Sequence, residues 1–450
     1  MDPRTRRLLE GPIGPTLLRL ALPNVVLTLV QASVGLIETY FVAKLGTDAL
    51  AGMALVFPVL MLIQMMSAGA MGGGISSAIA RTLGAGRRAD ADALVWHAVA
   101  IALALGLITT LAAWLGGPPL YTAMGGVDGS LAAALVYSNT IFAGAVLIWL
   151  FNSLANVIRG TGNMLLPAAV ACVGAAVLIP ASPALIFGFG PLPRLGIVGG
   201  AAAVLGYYAA GSAVLAIFLW SGRGVLRPPL RLPRLRWPPA YEILRIGAVA
   251  SLITVTTNLA IAVATGLVGN AGPAAVAGFG TGVRLEYLLV PLVFGLGAPL
   301  VAMVGTSIGA GRRDRALRVA WTGAAIAGAI CEAIGIAAAL YPEAWLRLFG
   351  DDPTMLAVGS QYLRIVGPFY GFFGAGLALY FASQGAGRLG WPLVAALLRL
   401  TIAIAGGWLA LRVFGTTAGV FAALGAALAV FGLVNAAAIM AGAWFKRPLV

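Results

Sequence analysis

Long apolar stretches separated by short polar breaks dominate the chain. The apolar runs are about 20 to 28 residues long and are punctuated by Gly, Pro and Arg, which suits helices that cross a hydrocarbon layer. The two-residue alternation of an outer-membrane barrel is missing. Read against the breakers, the pattern predicts spans at 17–42, 50–76, 94–116, 131–153, 163–188, 196–220, 246–269, 276–307, 317–341, 355–382, 391–413 and 417–445. The predicted fold class is therefore an all-α polytopic membrane protein with twelve transmembrane helices. Between the sixth and seventh spans, "SGRGVLRPPLRLPRLRWPPAYE" is too rich in Pro to continue a helix and reads as an extended linker. The expected organisation is a six-helix lobe over 1–220, a linker over 221–242 and a second six-helix lobe over 243–450. The apolar stretch that begins near Leu17 runs on to about residue 41, too long for the core of a cleavable signal peptide, so the first helix is expected to be retained.

The halves repeat. "SSAIARTLGAGRRADADALVW", ending at Trp96, matches "VAMVGTSIGAGRRDRALRVAW", ending at Trp321, and "RGTGNMLLP" from Arg159 matches "QGAGRLGWP" from Gln384, both at an offset of 225. Earlier pairs such as Ala51 with Ala277 sit at 226. Basic residues crowd one side: Arg4, Arg6, Arg7, Arg87, Arg88, the linker arginines, Arg312, Arg313, Lys446 and Arg447 fall there. The opposite loops hold only Lys44, Arg194, Arg347 and Arg412. The positive-inside rule then puts both termini in the cytoplasm and, for a bacterial chain, the protein in the plasma (inner) membrane. Six helices per half, with both "GAGRR" loops on one face, imply two parallel lobes related by a pseudo-two-fold along the membrane normal.

Composition agrees: 61% of residues are hydrophobic, 9% are charged and mean hydropathy is +0.99. The formal charge of +14 is scattered over separate loops without interleaved aromatics, which argues against a nucleic-acid partner. Cys172 and Cys331 lie inside apolar runs and imply neither disulfide nor metal site. No Ser/His/Asp set, HExxH or metal-ligand spacing is present, so an enzyme is not expected.

Ionisable groups inside spans are the candidate chemistry, because a charged carboxylate at membrane depth costs about 3 kcal/mol or more and needs a proton, a partner or water. Glu38 in "SVGLIETYFVAK" shares a helical face with Gln31, is one turn from Gly35, and follows Pro23, a candidate kink. Pro23 and Gly35 are thus candidate hinges. The alternatives for Glu38 are a neutral acid bonded to a neighbouring helix, or one wetted near the surface with Lys44 reaching towards it. Glu286, beside Tyr287 and two residues from Arg284, either lines a cavity or clasps another helix. Glu332, among Ala, Gly and Ile, fits a single hydrogen-bonded acid in a helix-packing face. Thr254, Asn258 and Thr265 share one side of the seventh span, and Gln64 stands among Met61, Met65, Met66 and Met71 in the second; either set suits ligand contact or plain packing. His97, beside Trp96 at a helix end, reads as an interfacial residue rather than a proton shuttle.

Taken in order, "LALP", "IETYFVAKLGTDALAG", "RGTGNMLLP", "PALIFGFGPLPRLGIVG" and "GVRLEYLLVPLVFGLGAPLVAMVGTSIGAGRRDRA" resemble the multidrug and toxic compound extrusion (MATE) family of antiporters, over nearly the whole chain. The resemblance implies twelve helices in two lobes around a central cavity, and export of cationic and amphipathic compounds in exchange for protons or sodium. It places Glu38 where many prokaryotic members carry an ion-binding aspartate in the first helix. It also shows departures. Leu178 and Ser182 stand where that branch has Asn and Asp in the fifth helix, and Gly374 stands where another branch has an acid in the tenth. Sodium takes about six oxygen ligands and a proton needs one carboxylate, so the coupling ion expected is a proton at Glu38, with Gln31 and Ser182 as polar neighbours. Gln64, Met65, Thr254, Asn258, Glu286 and Tyr287 are the expected cavity residues, with a small-molecule substrate, membrane lipid as the only other partner, no cofactor, and a monomer as the working unit. The alternative is a lipid or lipid-linked oligosaccharide flippase of the same superfamily, which needs a cationic cavity. Arg284, Arg364 and Arg399 are the main arginines within spans.

Overall fold

The computed structural model describes residues 2–189, 193–269 and 271–445, and among them there is no strand. Lys446 and Arg447 of the basic count, and residues 190–192 of the fifth-to-sixth motif, lie outside the described residues. Among the described residues eleven helices are long and apolar enough to cross a membrane. They are Ile13–Ala43, Thr47–Gly84, Arg88–Ala123, Leu165–Phe187, Ile197–Trp220, Trp237–Gly269, Pro273–Gly309, Arg313–Leu340, Pro353–Ala386, Gly390–Phe414 and Thr417–Met440. The twelfth crossing, fourth in order, is a pair, Asp128–Ala143 and Ala145–Gly160, bent by 47° at Gly144. All twelve expected spans are thus present, most of them longer than their apolar cores.

The chain forms two compact units, Met1–Thr5 with Leu22–Gly247, and Arg6–Ala21 with Ala248–Val450. The boundary falls just inside the seventh span, and the start of the first span belongs with the second unit. Within each unit the helices meet on small residues, as membrane helices do when backbone contact replaces hydrophobic drive. In the first unit a Cβ on Gly52 would stand 2.6 Å from Ala134 N, so the second and fourth spans touch backbone to backbone. In the second, Gly335 and Gly367 face each other across the ninth and tenth spans. There Pro368 interrupts the tenth helix, and Glu332 Oε2 accepts the freed Gly371 N–H at 2.7 Å. Glu332 is the single hydrogen-bonded acid of a packing face that its surroundings suggested.

The repeated "GAGRR" loops are helix stops. Gly86 (φ 76°) and Gly311 (φ 71°) take the left-handed conformation that glycine adopts freely, and the next N–H reaches back five residues, Arg87 to Thr82 O at 3.1 Å and Arg312 to Ser307 O at 2.9 Å. In the second unit the same loop also caps the amino-terminal helix Pro3–Glu10. Arg312 donates to Leu9 O, and Arg315 to Leu8 O and Gly11 O, placing cations at the negative end of that helix. The hydrogen bond from Arg6 holds the Glu10 carboxyl below its usual range, so the Arg6–Glu10 pair is present at neutral pH and is lost as pH falls through that lowered value, while the bonds to the backbone carbonyls remain.

The linker lacks helix up to Trp237, where Pro238 and Pro239 occupy early helical positions that need no amide donor. His97, near the start of the third span, packs against the linker. It is buried, its Nε2 accepts the Arg236 N–H at 3.0 Å, and Nδ1 therefore donates to Ala93 O at 3.0 Å.

Candidate functional site

In the first unit the second span changes pitch. Residues Met65–Met71 form a π-helix, a local widening that is common at functional sites. Widening frees carbonyls from their usual partners, and the fourth span supplies a donor: Asn156 Nδ2 bonds Ala68 O at 3.1 Å, and also Asn152 O of its own helix at 2.8 Å. Asn152 Nδ2 bonds Ser67 Oγ at 2.8 Å and Gln64 Oε1 at 3.2 Å, and the Gln64 amide then donates to Tyr208 Oη on the sixth span. Gly72 lets this happen, since any side chain there would collide with the Asn156 amide. A chain of buried polar groups thus crosses the second, fourth and sixth spans. Such networks are stable only when every member is satisfied. Replacing Asn152 by Ala removes the donor that Ser67 Oγ and Gln64 Oε1 accept from and is expected to lower stability by about 1–3 kcal/mol, read as a fall in the thermal midpoint of the detergent-solubilised protein.

Glu38 lies at the edge of this chain. It is near Tyr137 and Tyr208, buried tyrosines of the fourth and sixth spans. The carboxyl atom Oε1 is buried and, among the described residues, has no hydrogen-bond partner. The Lys44 ammonium does not reach it, lying instead 4.6 Å over the Tyr40 ring. Of the expected neighbours, Gln31 is exposed, while Ser182 is buried with its hydroxyl unpartnered. No hydrogen bond joins either to Glu38 among the described residues. Met65 is 41% exposed, and only Gln64 of that pair enters the polar chain. Around Gly35 a Cβ would meet nothing within 4 Å, so packing does not demand glycine there.

The second unit holds a matched but differently charged arrangement. Glu286 Oε1 pairs with Arg399 Nη2 at 2.9 Å, and Oε2 accepts the Tyr362 hydroxyl at 3.0 Å. All three side chains are buried, and the guanidinium stacks over Phe373 and Phe431 at 5.0 and 5.7 Å. Arg399 stands just before a second π-helical segment, Ile402–Gly406. A small cavity beside the pair is lined by Ala264, Tyr362 and Ala403 among others. At the repeat offsets these are the counterparts of Glu38, Tyr137 and Leu178. The second repeat thus has its cavity at positions that correspond to these three residues of the first. The first carries a carboxyl without a cation; the second takes its acid from the eighth span and supplies the cation itself. Glu286 resolves as an inter-helix clasp that also borders a cavity. Thr254 and Asn258 bond their own helix, at Ala250 O and Thr254 O, and Tyr287 is 45% exposed; none of the three borders that cavity.

Gly374 has no room for an acid. A Cβ there would stand 2.6 Å from Cys331 Sγ and 2.7 Å from Ala327 O. Gly374→Asp is accordingly expected to destabilise by about 3 kcal/mol or more, through overpacking and an unpaired buried charge, and to show as loss of monodisperse protein in detergent.

The residues missed from sequence are Tyr137, Tyr208, Ser67, Asn152 and Asn156. Asn152 and Asn156 had a usable signal, two amides four apart in an apolar run, and Tyr137 had its repeat partner Tyr362.

Comparison with known proteins settles the family. The MatE family model matches residues 23–183 and 248–409, one block in each repeat. The chain belongs to the MatE family. A FAD transporter of Shewanella oneidensis is 30% identical over 373 residues, 82% of this chain and 81% of that one. A probable multidrug resistance protein NorM of Thermotoga maritima is 26% identical over 385 residues, 85% and 82% of the two chains. A MATE crystal structure in a bent conformation superposes with a TM-score of 0.90 at 24% identity, covering 99% and 98%. That likeness concerns the fold, and it matches the resemblance read from the motifs. As a MatE-family protein the chain is a multi-pass membrane transporter and not an enzyme.

Proposed function

We propose that this MatE-family transporter exports cationic and amphipathic small molecules by alternating access, in exchange for protons bound at Glu38. The carrying observation is a carboxyl within a membrane-spanning helix whose Oε1 is buried and, among the described residues, has neither a hydrogen-bond partner nor an ion pair. Such a group is tolerable when protonated and becomes reactive to charge when it is not, which suits an ion-exchange site. Sodium would need about six oxygens, and the nearby polar side chains Tyr137 and Tyr208 offer two. Relatives named multidrug resistance proteins, the Thermotoga NorM and an MdtK of Cronobacter sakazakii, support drug-like cargo. Both termini cytoplasmic, the inner membrane and a monomeric working unit complete the proposal.

A second reading, a flavin nucleotide as cargo, is favoured by the Shewanella relative. A flippase for pyrophosphate-linked lipid is disfavoured: Arg399 is already neutralised by Glu286, and Arg284 stacks on Phe349 at 5.4 Å. Purified protein in liposomes, tested with ethidium and with FAD under separately imposed proton and sodium gradients, decides. Proton-driven ethidium movement is expected. Movement driven only by sodium would remove the proton assignment, and movement of FAD alone would install the second reading.

A further inference from the structure

Residues 221–241, "SGRGVLRPPLRLPRLRWPPAY", hold five arginines and no acid. The structure shows how this strap is held. Val225 and Leu226 are buried in the first unit's core. Beyond them the attachments run through the strap's backbone: Arg227 N–H donates to Asp92 at 2.7 Å, Pro229 O accepts from Trp96 Nε1 at 2.9 Å, and Arg236 N–H donates to His97. Backbone tethering leaves the side chains free to point away. Leu230 is 84% exposed, Leu232 64%, Leu235 47% and Trp237 68%, with Arg231, Arg234 and Arg236 exposed between them.

A single exposed leucine is unremarkable, but a run of large apolar side chains alternating with arginine is not a solvated loop pattern. Its tethers are at the end of a membrane-spanning helix, where Trp96 meets Trp220 edge-on at 5.3 Å, the aromatic pairing typical of a membrane interface. A nucleic-acid surface would not need the leucines, and a solvated charge run would not need the tryptophan.

We propose that the strap is a binding site for anionic phospholipid. Leu230, Leu232, Leu235 and Trp237 enter the head-group boundary while Arg231, Arg234 and Arg236 engage lipid phosphates. Apolar insertion and electrostatic attraction reinforce each other in such anchors, and the second is selective for negatively charged leaflets. The strap runs directly into the seventh span, so docking fixes where that helix starts.

The test uses the full chain with Cys172 and Cys331 replaced by Ala and an environment-sensitive fluorophore on Leu232→Cys, an exposed position whose change leaves the fold intact. The protein is placed in nanodiscs of phosphatidylcholine alone, or of phosphatidylcholine with about a third phosphatidylglycerol. Expected are a blue-shifted emission and quenching by brominated lipid that is about three-fold stronger in the anionic discs, reversed by salt. R231Q/R234Q/R236Q returns the quenching to its neutral-lipid level, and the same label on Trp237→Cys reports the same pattern. A label that stays water-exposed in both discs overturns the proposal. So does one that responds equally to both lipids, or one shielded only when polyglutamate or RNA is added.

Discussion

Glu38→Gln is expected to lower proton-driven export at least about a hundred-fold while leaving a folded protein that still binds cargo. The amide has nearly the size and shape of the neutral acid, and the buried Oε1 makes no hydrogen bond that the change would break, so the cost to stability is expected within about 1 kcal/mol. What disappears is the exchangeable proton. One charge descending 100 mV supplies roughly 2.3 kcal/mol, and a carrier that cannot take up the proton cannot draw on it. Glu38→Asp keeps the chemistry with a shorter reach towards Tyr137 and Tyr208 and is expected to retain part of the rate. Initial rates in proteoliposomes with an imposed pH step measure both. Full activity in the amide variant would remove Glu38 from the mechanism.

The second large effect concerns the Glu286–Arg399 pair. Removing either partner leaves the other charge buried and uncompensated, which costs about 3–5 kcal/mol, whereas removing both leaves an apolar site that is often neutral. Glu286→Gln and Arg399→Met are each expected to unfold far earlier in a thermal or denaturant series, and the double variant is expected to recover to within about 1 kcal/mol of the parent. Additive losses would show that the 2.9 Å contact carries no coupling. The recovered double variant also permits a clean transport assay. If the pair is a structural clasp, export persists in it. If the cavity beside the pair takes part in transport, export fails in a protein whose stability is normal.

The spans were legible because hydropathy reports the membrane slab directly. The same signal underestimates helices that continue into the head-group region: 50–76 became Thr47–Gly84, and 94–116 became Arg88–Ala123. The bend at Gly144 and the π-helical stretches at Met65–Met71 and Ile402–Gly406 leave no trace in an apolar run, because they depend on what packs beside them. Glu38 was visible as a charge in an apolar stretch, but its neighbours were not. Which residues face it depends on how the helices are rotated about their axes, and that rotation is a property of the packed bundle. For the same reason Glu286 read equally well as cavity lining or clasp until Arg399, 113 residues later, was seen beside it. The partner of His97 was hidden because it is a backbone amide in the linker, a contact that no side-chain pattern encodes.

The most direct test of the central claim asks whether Glu38 changes its protonation at all. Infrared difference spectra of the purified protein, titrated across the pH range in which it transports and compared with Glu38→Gln, isolate that carboxyl. The account predicts a carbonyl stretch of a protonated acid that fades as pH rises, is replaced by a carboxylate band, and is missing from the variant. A Glu38 band that keeps one form across the whole range would contradict it.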